Sequence, residues 1–213
     1  MYRFIRPLFW HLEPEKAHHL ALTLLRYVPS SFFPKIAGHP KKVLGMTFPH
    51  AIGLAAGFDT NALYLDALSK LGFAFIEVGG VTPYPQRGNP KPRLFRLTEV
   101  HGLINRMGFC NLGVDAMVER LKSTSYRGIL GINIAKNKET PLEDASSDYI
   151  VCMQRLYPYA SYLTINISSP NMPNLRDLQK TEYFFMLMSS IREEQRHLED
   201  VYGKHVPLVV KLS

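Results

Sequence analysis

The sequence predicts an α/β protein built on a parallel sheet, with a helical segment ahead of it. Three observations carry that expectation. From residue 43 onward, short apolar, β-branched runs alternate with helical stretches, the order that right-handed crossovers between parallel strands produce. The runs are apolar nearly throughout, as expected of strands covered on both faces. Polar residues collect where the runs end, which is where ligands bind in α/β sheets and barrels.

Residues 1–40 read as two short amphipathic helices. The first carries Phe4, Ile5, Leu8 and Phe9. The second starts at Pro14 and shows Ala17, Leu20, Ala21, Leu24, Leu25 and Val28 at helical spacing. Pro29, Pro34 and Pro40 then break the pattern. VLGMTF (43–48) reads as an edge hairpin leading into the sheet. The expected core strands are AIGLAA (51–56), FAFIEVGG (73–80), GILGINI (128–134), YLTINI (162–167) and PLVVKLS (207–213). Helices are expected over roughly 60–71, 111–122, 142–159 and 180–203. A doubly wound sheet and a (β/α)8 barrel both fit this order.

Composition excludes several classes. With 213 residues, 46% hydrophobic and 20% charged, the chain is that of a folded globular protein. Its net charge is +7, and residues 1–45 hold seven of the lysines and arginines against only Glu13 and Glu15. This basic excess lies beside an amphipathic helix pair, so a membrane surface is a better partner than nucleic acid, which favours an aromatic-bearing sheet. The alternative for the helix pair is a plain cap on the main domain. Cys110 and Cys152 make neither a disulfide framework nor a zinc site, and no metal is expected. No apolar run approaches the ~18 residues of a membrane span, and the start lacks the features of a signal peptide.

Four stretches could carry chemistry. GLAAGFD (53–59) is a small-residue turn that would let a planar ligand approach the backbone, or simply a tight strand–helix packing. NRMGFCNLGVD (105–115) precedes a helix that Asn111 could cap, whereas Asn105 has no helix to cap. GINIAKNK (131–138) ends a strand at Asn133, with Lys136 and Lys138 expected in a solvated loop. NISSPNMPNLR (166–176) offers Asn166, Asn171 and Asn174, amides able to read a planar ring, and Ser169 in a proline-stiffened loop. No triad partner accompanies Ser169. A serine can still accept a proton that a neighbouring electron sink has acidified. Lys211 closes the last strand, where a cation could stabilise negative charge on a reduced ring.

Taken together, GLAAGFD, EVGGVTPYPQRGNPKPRLFRL (77–97), GLINRMGFCNLGVD (102–115), GINIAKNK, NISSPN (166–171) and VVKLS (209–213) resemble the class 2, quinone-linked dihydroorotate dehydrogenase family, in its order and spacing. The resemblance implies a (β/α)8 barrel, of which about five strands are present here. It also implies an N-terminal helical domain, over 1–42, followed by the FMN-binding barrel over 43–213. It implies oxidation of dihydroorotate to orotate in pyrimidine synthesis. Ser169 would remove the C5 proton while C6 delivers hydride to the flavin, and a quinone entering between the N-terminal helices would reoxidise it. It places FMN against Ala56, Gly57, Phe58, Asp59, Thr60, Gly80, Asn133, Asn166 and Lys211. It places orotate against Thr60, Asn105, Arg106, Met107, Gly108, Phe109, Asn166 and Asn171. The protein would sit peripherally on the inner membrane, on the cytoplasmic side in a bacterium.

Three positions depart from the family pattern. Thr60 stands where the family motif has a lysine that pairs with the orotate carboxylate and flavin. Met172 stands where a threonine relays the proton away from the serine. Cys110 stands where a polar residue, often Asn, is common. These departures keep two alternatives in play, a flavin oxidoreductase with another substrate and a non-catalytic remnant. The stretch after residue 45 is also shorter than the roughly 200–250 residues of a complete barrel. Strands six to eight are therefore expected outside this chain, and the chain alone is not expected to hold FMN stably.

Overall fold

In the computed structural model, which describes residues 6–7, 9–34 and 36–213, the N-terminal part contributes helix α1 (Pro14–Leu25). Proline occupies the first turn of α1, where its missing N–H costs nothing. The Glu13 carboxylate accepts from the backbone N–H of Glu15 and Lys16 at 3.2 and 3.0 Å. Phe4, Ile5 and Leu8 of the expected first helix lie outside the described residues. A small hairpin follows, β1 (Lys41–Val43) against β2 (Met46–Phe48), close to where the edge hairpin was expected.

The main sheet holds β3 (Phe75–Val81), β6 (Ile129–Ile134), β7 (Tyr162–Asn166) and β8 (Leu208–Lys211), all parallel and in that spatial order. Between them run α3 (Val114–Ser123), α4 (Ala145–Leu156) and α5 (Thr181–Tyr202). A doubly wound sheet reverses its strand order at a switch point. Here the order follows the sequence without reversal, which is barrel topology in part.

The register sorts the side chains. Ile76 and Val78 pair across with Leu130 and Ile132, and Ile132 and Ile134 with Leu163 and Ile165. These residues form the face that packs against the helices, and most are fully buried. Each such side chain contributes about 1.5–3 kcal/mol through burial. The opposite face, which in a barrel points to the axis, carries Glu77, Gly79, Gly131, Asn133, Tyr162, Thr164, Asn166 and Lys211.

Several expectations are corrected. The 51–56 run is a ragged edge rather than a full strand: only Leu54 bridges to Ile76, although Leu54 N–H reaches Phe75 O and Glu77 N–H reaches Leu54 O. The helix expected over 60–71 shrinks to α2 (Leu65–Leu68) with a 3-10 turn after it. The cause is Asp59, whose carboxylate takes the N–H groups of Leu63 and Tyr64 and holds the chain in a turn first. A second hairpin, β4 (Leu94–Leu97) with β5 (Gly102–Asn105), was not anticipated. Asn111 does not cap α3, which begins after Gly113; its amide instead joins Thr82, Phe109 O and Gly113 N–H. On α1, Ala17 and Leu22 are buried while Leu20 and Leu24 of the expected stripe are exposed.

Candidate functional site

The carboxyl ends of β6 and β7 bring two amides into contact. Asn166 Nδ2 donates to Asn133 Oδ1 at 2.9 Å, and both residues are buried. Asn133 Nδ2 donates in turn to Glu77 Oε1 at 2.9 Å. Asn166 Oδ1 accepts from the backbone N–H and the hydroxyl of Ser168 at 3.2 and 3.1 Å. Asn166 pairs in register with Lys211, so the lysine stands beside this amide row. Lys211 is exposed at the end of β8, the edge strand of this sheet.

The loop after β7 carries Ser169, whose Oγ accepts the N–H of Asn171 at 3.3 Å. This loop is held from behind. Tyr149 hydroxyl donates to Asn166 O, Arg176 Nε to Ser168 O and Gln179 Nε2 to Ile167 O. Asn171 Nδ2 reaches Asn105 Oδ1 at 3.3 Å, which joins the serine loop to the end of β5. Asn89 ties the same two loops together, donating to Arg106 O at 2.9 Å and Asn171 O at 3.2 Å. Nothing in the Pro-rich stretch around Asn89 shows which distant carbonyls it bridges.

The remaining candidates fall in three groups. Gly80 and Phe109 lie against Asn133, while Gly108 lies against Asn89 and the Met107 carbonyl accepts from the Asn89 N–H. A Cβ on Gly80 would lie 2.9 Å from the Phe109 ring and 3.2 Å from Asn133 Oδ1, so bare backbone is required there. Ala56, Gly57 and Thr60 lie on the neighbouring turn, where Gly57 faces open space and donates its N–H to Gly79 O. Three residues are committed elsewhere. Asp59 is buried on its two backbone N–H groups, and burial raises its carboxyl pKa. Phe58 packs edge-on against His18 of α1, and its carbonyl is 2.8 Å from His18 Nε2. The Arg106 guanidinium is spent on Pro92 O.

Lys136 overturns the expectation of a solvated loop. It is buried, with Nζ donating to Asn137 O and Thr140 O, and burial lowers its pKa. Lys138 is exposed as expected. A groove of about 790 Å³ opens on the outer side of these loops, beside Tyr84, Lys138 and Asp148. Of the candidate residues it touches only Gly108, and none of Asn133, Asn166, Ser169, Asn171 or Lys211 lines it.

Residues 40–213 match the family described as Dihydroorotate dehydrogenase. The chain belongs to the dihydroorotate dehydrogenase family. Over all 213 residues it is 58% identical to a Legionella pneumophila protein named dihydroorotate dehydrogenase (quinone), covering 64% of that protein's length. An Idiomarina loihiensis protein of the same name is 53% identical, with 65% of its length covered. In structure, the chain is similar to the dihydroorotate dehydrogenase of Eimeria tenella solved in complex with ferulenol. The TM-score is 0.84 at 36% identity, with 94% of this chain and 59% of that one aligned. The chain thus spans a little under two thirds of the relatives it matches.

Against the dihydroorotate dehydrogenase pattern, the departures now have surroundings. Thr60 Oγ1 accepts from Asn61 Nδ2 at 3.3 Å. Met172 is buried, with its sulfur 3.8 Å from Gln86 Nε2, and Gln86 also donates to Gly108 O. Cys110 is half-buried, and burial raises its thiol pKa despite the nearby Arg93.

Proposed function

We propose that this chain forms the flavin- and substrate-facing portion of an enzyme that oxidises dihydroorotate to orotate through FMN and passes the electrons to a quinone. The observation that carries the reading is the hydrogen-bonded Asn133–Asn166 pair, with Lys211 beside it and the Ser169–Asn171 loop above it. The residues fit a flat ring. Gly80 leaves bare backbone at the mouth. On the same sheet face the Thr164 hydroxyl is buried with no hydrogen-bond partner among the described residues, so polar capacity remains for a ligand.

FMN, when bound, supplies the two-electron acceptor. Ser169 would take the C5 proton of the substrate. A backbone N–H aimed at its Oγ favours negative charge on that oxygen and so eases loss of the hydroxyl's own proton, which would leave to water because Ser169 is only half-buried. Asn105, Asn166 and Asn171 would read the carbonyls and N–H groups of the pyrimidine ring. Lys211 would hold positive charge at the rim, where reduction adds negative charge. No helix among the described residues is long and apolar enough to cross a membrane. Exposed Trp10, Leu20 and Leu24 in a basic segment support peripheral attachment at a membrane surface, where a quinone is available.

The test is dihydroorotate-dependent reduction of a soluble quinone by the protein carrying this chain, with flavin content measured in parallel. Ser169→Ala should keep the flavin and lose on the order of 10²-fold or more in turnover. Bound flavin that dihydroorotate does not reduce would overturn the substrate assignment.

A further inference from the structure

Glu77 lies outside every motif role assigned above. It sits on β3, on the face that points to the barrel axis, one pleat below Gly79. Its two carboxylate oxygens are both used: Oε1 accepts from Asn133 Nδ2 at 2.9 Å and Oε2 from the Tyr162 hydroxyl at 3.0 Å. The Tyr162 ring can lie there because it crosses Gly131, where a Cβ would come within 2.2 Å of the ring. Burial and the adjacent Glu77 raise the Tyr162 pKa, so it stays a donor.

A carboxylate accepts and does not donate. The nitrogen of Asn133 must therefore face Glu77, and its oxygen must face away. That oxygen then accepts from Asn166 Nδ2, which leaves Asn166 Oδ1 to accept from Ser168. The row is polarised from both ends: the Ser168 backbone N–H only donates and sets the Asn166 end, and the Glu77 carboxylate only accepts and sets the Asn133 end. Without Glu77 the Asn133 nitrogen loses its acceptor, and the buried amide is held at its oxygen alone.

We propose that Glu77 is a positioning residue of the ring-binding mouth: its carboxylate, bridging Asn133 and Tyr162, gives the buried Asn133 nitrogen its acceptor and so holds that amide in place for the ligand. The ligand is the isoalloxazine ring if the flavin reading above holds, and the inference rests on that reading. Asn133 then always shows its oxygen beside Gly80, and Asn166 keeps one N–H in hand for a ring acceptor.

The experiment is an FMN titration, followed by flavin fluorescence, on the protein carrying this chain and two variants. Glu77→Leu removes the acceptor and should weaken FMN binding tenfold or more. Glu77→Gln still offers an oxygen to Asn133 while its nitrogen faces the Tyr162 oxygen, so it should stay within threefold of the parent. Rescue by glutamine separates loss of the acceptor for Asn133 from a loss of packing. Leu and Gln variants that both bind like the parent, or that both lose tenfold with unchanged thermal unfolding, overturn the proposal. If the leucine variant does not fold, Glu77→Ser, too short to reach Asn133, is read against the same thresholds. A parent protein that takes up no FMN would instead overturn the flavin reading itself.

Discussion

At the scale of single residues, the site is a set of amides whose meaning comes from their partners. Asn166 ends strand β7 and Asn171 lies in the loop after it; one is buried against Asn133 and the other reaches outward to Asn105. Thr60 and Met172 sit where the family pattern has a charged and a hydroxylic group. Because Thr60 holds only its neighbour Asn61, the position is free to take a longer side chain. Thr60→Lys should raise orotate affinity, since a charge-assisted bond to a buried carboxylate is worth about 1.5–3 kcal/mol. Isothermal titration with orotate checks this, and an unchanged Kd would mean that another group already neutralises the carboxylate. Met172→Thr should restore a proton-relaying hydroxyl and raise turnover without changing orotate affinity. It should also lower stability by roughly 1–3 kcal/mol, because a buried thioether is replaced by a smaller polar group. Turnover and a denaturant midpoint measure the two effects separately.

At the scale of elements, helix α1 is fastened to the loop before β4 by one buried ion pair. Arg93 meets Glu15 in a two-pronged contact, Nε to Oε1 at 2.7 Å and Nη2 to Oε2 at 2.9 Å, and both side chains are under a tenth exposed. Lys91 adds a partly exposed third charge at 3.1 Å. The Arg93 guanidinium holds the Glu15 carboxyl below its ordinary value, although burial opposes this. A depressed carboxyl pKa adds stability that is present above the ordinary glutamate range and is lost as pH falls through the folded-state value. The docking of α1 should therefore weaken on the acid side, below the ordinary glutamate pKa, and stay constant through neutral pH. Trp10, next to α1, gives the fluorescence signal to follow. Arg93→Leu should cost about 3–5 kcal/mol, because it leaves Glu15 buried without its partner. A double variant that also replaces Glu15 with a residue of similar volume should recover much of that loss.

At the scale of the whole molecule, four parallel strands follow one another in sequence order with α3, α4 and α5 between them. The outer edge of β8 and the α5 residues Phe185, Met186, Val201 and Tyr202 are open to solvent. Unpaired parallel edges and uncovered apolar helix faces favour association. The isolated 213-residue chain should therefore self-associate and bind FMN below stoichiometry. Light scattering and the flavin absorbance of the purified chain test this, and a monodisperse monomer with one FMN per chain would contradict it.

The order of strands and helices was legible because buried parallel strands are written as continuous apolar runs, and β6, β7 and β8 fall on the runs read for them. The polar strand ends were legible for the same reason, since Asn133, Asn166 and Lys211 each interrupt such a run. The β4–β5 hairpin was not, because its short strands have exposed Phe95, Leu103 and Ile104 and no clean alternation. Glu77 was not legible as part of the site either: one acid inside an apolar strand shows neither its face nor its partners. Local periodicity and turn chemistry act between residues close in the chain, so the sequence alone determined where the buried strands β6, β7 and β8 run. Which way the Asn133 amide faces depends on Glu77 and Asn166, 56 and 33 positions away. Only the packed sheet, by setting the register between its strands, decided that.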